Sequence, residues 1–384
     1  MGFERWMPMR DYIEKDGSLR FVFPIDGDLL NEFDGEEHSG RLFVNVKVFS
    51  TDESVRINGL PAVKKGDFFV RETALDFGKN TIVAEDDNGK KEICVYIAEN
   101  AIGRYRLSSD DNIICLWDLT KNKDKYNSIF DNEYLAVYKE AHDKYNACVH
   151  LNLYYEMKGK HHRFAGERED FNLSMMTDKF KSEWIANSDW LKLNFHAKAN
   201  DPESPYLNSD YDTVYADCKA VQDEIIRFAG KETLSNETTL HYGKCTPDGQ
   251  KALRDSGLKS LAGYFELANG RAAVSYIYPK YLVDYVSRRD FWYDKDFDIL
   301  FCKIDRVLNL HTPDETRALL NGIFNYRNTN KGFIELMMHE QYFYDDYAAH
   351  TPDFKERVLD ACKFVYEKGY KGAFIDDIRQ KCGL

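Results

Sequence analysis

Two adjacent carboxylates, Asp110 and Asp111, interrupt the apolar runs of RYRLSSDDNIICLWDL. A pair of this kind can divide a task, one carboxylate holding a divalent cation while the other takes a proton from water. Further along, WLKLNFHAKAN carries His196 with Asn200 four residues later, TTLHYG carries His241 and Tyr242, and FIELMMHEQYF carries His339, Glu340 and Tyr342. A hard or borderline cation takes carboxylate oxygen and imidazole nitrogen. The i, i+4 spacing joins His196 to Asn200 if the chain turns helical after the histidine, and a separate imidazole can protonate a leaving amine. Other polar residues read as structural. His150 within CVHLNL reads as a hydrogen-bonded core histidine, His161 and His162 as a solvated loop, and His311 as the neighbour of an N-cap at Thr312. His38, His142 and His350 have no supporting context. Asp110 and Asp111 themselves also suit a helix cap.

These residues need a scaffold that gathers them. Residues 18 to about 98 run as short, alternating apolar segments (LRFVFPIDG, GRLFVNVKVFS, DFFVRETAL, NTIVAEDD, KEICVYIAE) separated by Gly, Asn and Asp, the pattern of an antiparallel β-sandwich. From residue 101 apolar strands alternate with helical stripes. YDTVYADCKAVQDEIIRFAG is an amphipathic helix with Gly230 at its C′ position, TPDGQKALRDSG a helix stopped by Gly257, and MMTDKFKSEWIANS a helix with Thr177 as N-cap. YKGAFIDD reads as a last strand. Strand–helix alternation means a parallel sheet, and a closed or distorted (β/α) barrel fits the strand count. In a barrel the C-terminal strand ends carry the chemistry, which is where Asp110, Asp111, His196, His241 and His339 fall. The division expected is 1–100 for the sandwich and 101–384 for the α/β unit.

The net charge of −13 over 384 residues argues against bulk nucleic-acid binding and against attraction to anionic membranes. Aromatic content of 14% suits a sugar ligand, with Tyr155, Tyr242, Trp292 and Tyr342 as stacking candidates. The eight cysteines form no CxxC pair and several sit in apolar runs, so they read as reduced core thiols rather than zinc ligands. MGFERWMPMRDYIEKDG has no apolar h-region, and no apolar run approaches the ~20 residues of a membrane span. A cytoplasmic location is the expectation.

In order and spacing, residues 101–384 resemble the NodB-type polysaccharide deacetylases of the glycoside hydrolase/deacetylase superfamily. SSDDN resembles their strand-end Asp-Asp motif, HAKAN their His-x-x-x-His, LHYG their Tyr-Gly stretch and ELMMHE their final strand-end histidine. The resemblance implies a distorted (β/α)7-type barrel and a metal-dependent hydrolase removing acetyl groups from a carbohydrate. By likeness, Asp110 is the base and His339 the acid. Asp111, His196 and Asn200 hold a divalent metal, zinc first, with nickel, cobalt or manganese as alternatives. His241, Tyr242, Glu340 and Tyr342 are expected on the substrate side. The sandwich resembles the Ig-like modules of bacterial carbohydrate enzymes. Asn200 stands where the family has a second histidine, Asn112 stands where it has a glycine and also tolerates left-handed backbone, and the arginine that orients the base is missing from its motif. Two rivals share the same barrel: a metal-free glycosidase using Asp110 with Glu340, and a carbohydrate-binding protein with a degenerate site.

Overall fold

Alternation decides the first hundred residues. In the strand Arg41–Ser50, Leu42, Val44, Val46 and Val48 are buried, while Arg41, Asn45 and Lys47 face water. The structure is a computed structural model describing residues 18–268, 271–273, 276, 278–325 and 330–384. The leader reading of residues 1–17 lies outside them. Two five-stranded sheets cover residues 19–97. Leu42, Val44, Val46 and Val48 of one meet Ile82, Ala84, Ile93 and Val95 of the other in a single apolar cluster. The sandwich is bolted to the remainder by charge. Arg289 Nε lies 3.2 Å from Asp28, and its Nη2 donates to Asp34 at 2.9 Å. Burial pushes Asp28 up to about 6 even against this arginine.

The rest is mixed α/β. Five strands lie parallel in the order Leu191–Ala197, Cys148–Tyr154, Arg104–Asn112, Phe333–His339 and Arg306–Val307. A second sheet pairs Glu237–Thr238, Ser260–Gly263 and Ile299–Lys303 in parallel, with Phe291–Asp294 antiparallel at its edge. The two sheets approach each other at both sides. Leu193 and Leu234 form an isolated parallel bridge, Ser235 N–H donates to Leu193 O at 3.2 Å, and Asp305 N–H donates to Glu335 O at 2.9 Å. Among the described residues the ladder is two sheets rather than one continuous ring. The helices pack outside. Tyr211–Phe228 buries Val214, Cys218, Val221, Ile225 and Phe228, one stripe at helical spacing. Asp210 caps its start, and Gly230, with φ of 93°, follows its end.

Three local expectations change. The helix expected from Thr177 begins at Lys181, because the Thr177 hydroxyl serves only the nearby Lys179 N–H. TTLHYG contributes only Thr238 to a two-residue strand, Glu237–Thr238, before a 3₁₀ turn over His241–Gly243 in which Tyr242 has φ of 58°. YKGAFIDD pairs only at Lys371–Gly372 and then becomes the helix Ile375–Lys381. All eight cysteines are free. No described helix is long and apolar enough to cross a membrane.

The interior of the parallel strands is polar. Arg106, fully buried, grips Glu335 with two bonds of 2.8 Å and Glu237 with one of 2.6 Å. Ser108 adds a 2.7 Å bond to Glu335. Removing one member of a buried ion pair leaves an uncompensated charge. Arg106→Met is therefore expected to cost about 3–5 kcal/mol of unfolding free energy, read as a fall in the urea midpoint. A loss below about 1 kcal/mol would show that the triad does not hold the strands.

Candidate functional site

The ladder between Arg104–Asn112 and Cys148–Tyr154 slips between Ser109 and Asn112, and Asp111 adopts φ of 66°. Regular alternation would send Asp110 and Asp111 to opposite faces. The bulge and the left-handed residue bring both to the same cavity, of about 300 Å³. The left-handed position is thus Asp111 and not Asn112. Asn112 is fixed instead by its amide, which donates to Ser109 O and Asn152 O, and by Tyr134, whose hydroxyl donates to its side-chain oxygen.

Asp111, His196 and His241 converge. Asp111 Oδ1 lies 3.1 Å from His196 Nε2 and 3.4 Å from His241 Nδ1, and the two imidazole nitrogens are 3.0 Å apart. Backbone carbonyls set each ring. His196 Nδ1 contacts Thr239 O at 2.5 Å, and His241 Nε2 contacts Asn200 O at 3.2 Å. Carbonyls only accept, so each of those nitrogens carries a proton, and the opposite nitrogens, His196 Nε2 and His241 Nδ1, are the ones that face Asp111 and present a lone pair to a cation once deprotonated. Burial and the neighbouring His196 hold His241 down to about 4, neutral at ordinary pH. Burial would also lower His196, but Asp110 and Asp111 pull it above the usual imidazole range. Burial alone would raise Asp111. The hydrogen bond from His196 and the charges of His339 and His241 hold it well below the usual carboxylate range.

Asp110 sits beside this group in a different environment. It pairs in register with His339 on the neighbouring strand, and the Asn152 amide donates to its Oδ1 at 2.6 Å. Burial pushes Asp110 above the usual carboxylate range despite the pull of His196 and His339. His339 Nδ1 is 2.8 Å from Asn309 Oδ1, and its ring lines the same cavity. A carboxyl that accepts a proton readily and an imidazole thus share one strand junction.

The other sequence candidates divide. Tyr242 and Tyr342 line the cavity. Asn200 lines it too, but no helix follows His196, and the Asn200 side-chain oxygen takes bonds from Tyr154 and Gln341 at 3.1 Å each. Its backbone oxygen, rather than its side chain, touches the histidine pair. Glu340 lies away from the cleft. It is fully buried, lines neither cavity of this cleft, and accepts from the N–H groups of Ile113, Ile114 and Cys115 at 2.6, 2.9 and 2.6 Å and from the Tyr344 hydroxyl at 3.0 Å. It therefore anchors the start of helix Ile114–Lys121, and the pairing of Asp110 with Glu340 as two working carboxylates fails with it. Trp292 packs against Phe301 and donates to Asp26 O at 2.8 Å, joining the sandwich to the α/β part. Tyr155 packs partly buried against the core. His150 is the core histidine expected, bonded to Ser235 at 2.6 Å.

Sequence reasoning passed over Tyr154 and Asn152. The Tyr154 hydroxyl donates to Asp111, and burial, with Asp111 beside it, keeps it protonated. The signal was present: His150, Asn152 and Tyr154 alternate with Val149, Leu151 and Leu153, a polar stripe inside a buried strand.

No protein-family profile matches the chain, and no curated protein matches it. Among solved structures, the chain is similar to a family 4 acetyl xylan esterase from Clostridium thermocellum in complex with a cobalt ion, with 12% identity over 73% of this chain and 92% of that one and a TM-score of 0.39. It is also similar to a Streptococcus mutans CE4 esterase, at 13% identity over 70% and 84% with a TM-score of 0.36. A CE4-family pseudoenzyme from Bacillus anthracis matches at 10% identity over 79% and 85%, with a TM-score of 0.34.

Glu340→Ala would strip three helix-start N–H groups of their acceptor. The expected cost is about 2–4 kcal/mol, measured by chemical denaturation. A variant as stable as the wild type would mean that water replaces the carboxylate.

Proposed function

We propose that this protein is a metal-dependent hydrolase that removes acetyl groups from a carbohydrate. The observation that carries the reading is the convergence of Asp111, His196 and His241, with ligand atoms within 4.8 Å of one another, beside the register pair Asp110 and His339. One carboxylate held ionised and two imidazoles whose inward nitrogens offer lone pairs once His196 gives up its proton form a donor set suited to zinc, nickel, cobalt or manganese. A bound divalent cation there supplies Lewis acidity, lowering the pKa of water and polarising an acyl oxygen.

The chain's own residues do the rest. Asp110, oriented by Asn152, accepts the proton of the attacking water at its carboxylate. His339, oriented by Asn309, delivers a proton to the departing nitrogen or oxygen. Tyr242 and Tyr342 offer ring faces to the sugar across the cavity. In this reading His241 takes the place that sequence spacing had given to Asn200, which speaks against a degenerate site. In this reading the two sheets are halves of a distorted (β/α)7-type barrel spanning 101–384. The sandwich of residues 19–97 is, in this reading, an Ig-like packing module.

His241→Ala and Asp111→Ala are expected to lose the ion of this cluster, read by elemental analysis as one ion fewer per chain than in the wild type, with circular dichroism unchanged. Asn200→Ala is expected to keep most of it. The reverse pattern would return the ligand role to Asn200. Asp110→Asn should retain metal and lose about 10²–10⁴-fold in acetate release, whereas unimpaired release would remove Asp110 as the base.

The raised pKa of His196 also sets a direction with pH. Its proton is held to higher pH than in a free imidazole and competes with the cation, so metal affinity should fall as pH drops through that range. Chelator competition at several pH values reads this directly, and an affinity independent of pH would exclude His196 from the ligand set.

A further inference from the structure

The cleft has a second wall. A cavity of about 340 Å³ shares Asp111, Asn200 and Gln341 with the first and is lined also by His161, His162 and Asp201. These last three each offer a ligand atom, all within 4.8 Å of one another. His161 Nε2 lies 2.8 Å from Asp201 Oδ2, and the two imidazole rings are 4.4 Å apart at their centroids. The sequence reading of a solvated loop overlooked this, because Asp201 is distant in the chain.

The loop that carries the histidines is tied down. Asp170 accepts from Gly159 N–H at 2.9 Å, and Ala165 N–H donates to Asp346 O at 2.9 Å. Ala348 N–H donates to Arg163 O at 2.8 Å, and Arg168 grips the Asp346 carboxylate at 2.8 and 3.0 Å. The histidines are therefore presented on a fixed strap and not on a free end. Asn200 stands between the two clusters. Its amide nitrogen is 3.0 Å from His161 Nε2, while its side-chain oxygen meets the Tyr154 hydroxyl that also contacts Asp111.

We infer that His161, His162 and Asp201 form a second divalent-cation site of the zinc type at the cleft mouth, separate from the Asp111 cluster. Two imidazoles and one carboxylate match the preference of a borderline cation, and three protein ligands leave positions open to water or to a substrate oxygen. His161 ligates through Nε2 as its Nδ1–H tautomer, giving up the 3.3 Å contact from Arg163 N–H. The site is half-open where the Asp111 cluster is buried, so its ion should exchange faster. The inference does not depend on the deacetylase reading.

The test uses the full chain stripped with chelator and dialysed against zinc, with bound zinc measured by elemental analysis. Two ions per chain are expected in the wild type, and one in Asp111→Ala. His162→Ala should weaken the ion that remains in the Asp111→Ala background by at least about 100-fold, beyond what loss of an outer partner alone costs. Asp201→Asn, a milder change at an exposed position, should act in the same direction. A wild type binding one ion that Asp111→Ala abolishes would overturn the second site. So would two ions unaffected by His162→Ala and Asp201→Asn. A single ion that survives Asp111→Ala but not His162→Ala would support this site while removing the first.

Discussion

A fully buried arginine sits where three strands of the α/β part converge, and its partners fix where those strands run. Arg106 is bonded to Glu335 through a bidentate fork and to Glu237 across the gap between the two sheets. At low local dielectric, charges of this kind are strongly coupled and tolerate little displacement. The same strands carry the chemistry a few residues on. Arg106, Ser108 and Asp110 share one side of their strand, as do Glu335, Met337 and His339 of theirs, because side chains alternate. The ion triad is thus the floor beneath the cleft. The spacing of Asp110 from His339 follows from the register that the triad enforces.

Above that floor, two neighbouring carboxylates acquire opposite tendencies. Asp111 meets two imidazoles and a tyrosine hydroxyl and stays ionised, whereas Asp110 is buried beside the Asn152 amide that donates to it and is drawn towards its protonated form. Pairs of acids driven apart by environment are how one site holds both a fixed negative charge and a proton acceptor. The device that makes this possible is backbone, not side chain. Only the bulge at Ser109–Asn112 lets consecutive residues face the same space.

Much of this was legible in the sequence. Strands ending in Asp, His and His are visible as apolar runs closed by polar residues, and the helices announce themselves through 3.6-residue stripes and terminal glycines. The differences between the linear reading and the fold share a cause. His241, Asn200 and Glu340 were sorted by linear spacing, but their roles depend on where the chain goes between strands. The chain stays irregular after His196, so i+4 does not stack Asn200 beside it, while a 3₁₀ turn after Thr238 brings His241 next to His196 and Asp111. Glu340, next to His339, was read as a companion in the cleft. One residue's difference in a strand end turns a side chain to the other face, where it met unpaired helix N–H groups instead. Asn152 and Tyr154 were readable as a polar stripe in a buried strand, a pattern that deserves weight wherever strands are covered on both faces.

The grip of Glu340 on three consecutive N–H groups also works as a proofreading device. Those groups belong to residues 113–115, directly after the Asp-Asp pair, and Glu340 directly follows His339. A slip of one residue between the two strands would pull the carboxylate off its donors and leave a buried charge beside unsatisfied amides, while every interior side chain changed faces. The misaligned pairing is therefore penalised at both ends of the strand, by Arg106 below and by Glu340 above. A chain that folds at all must fold with Asp110 opposite His339.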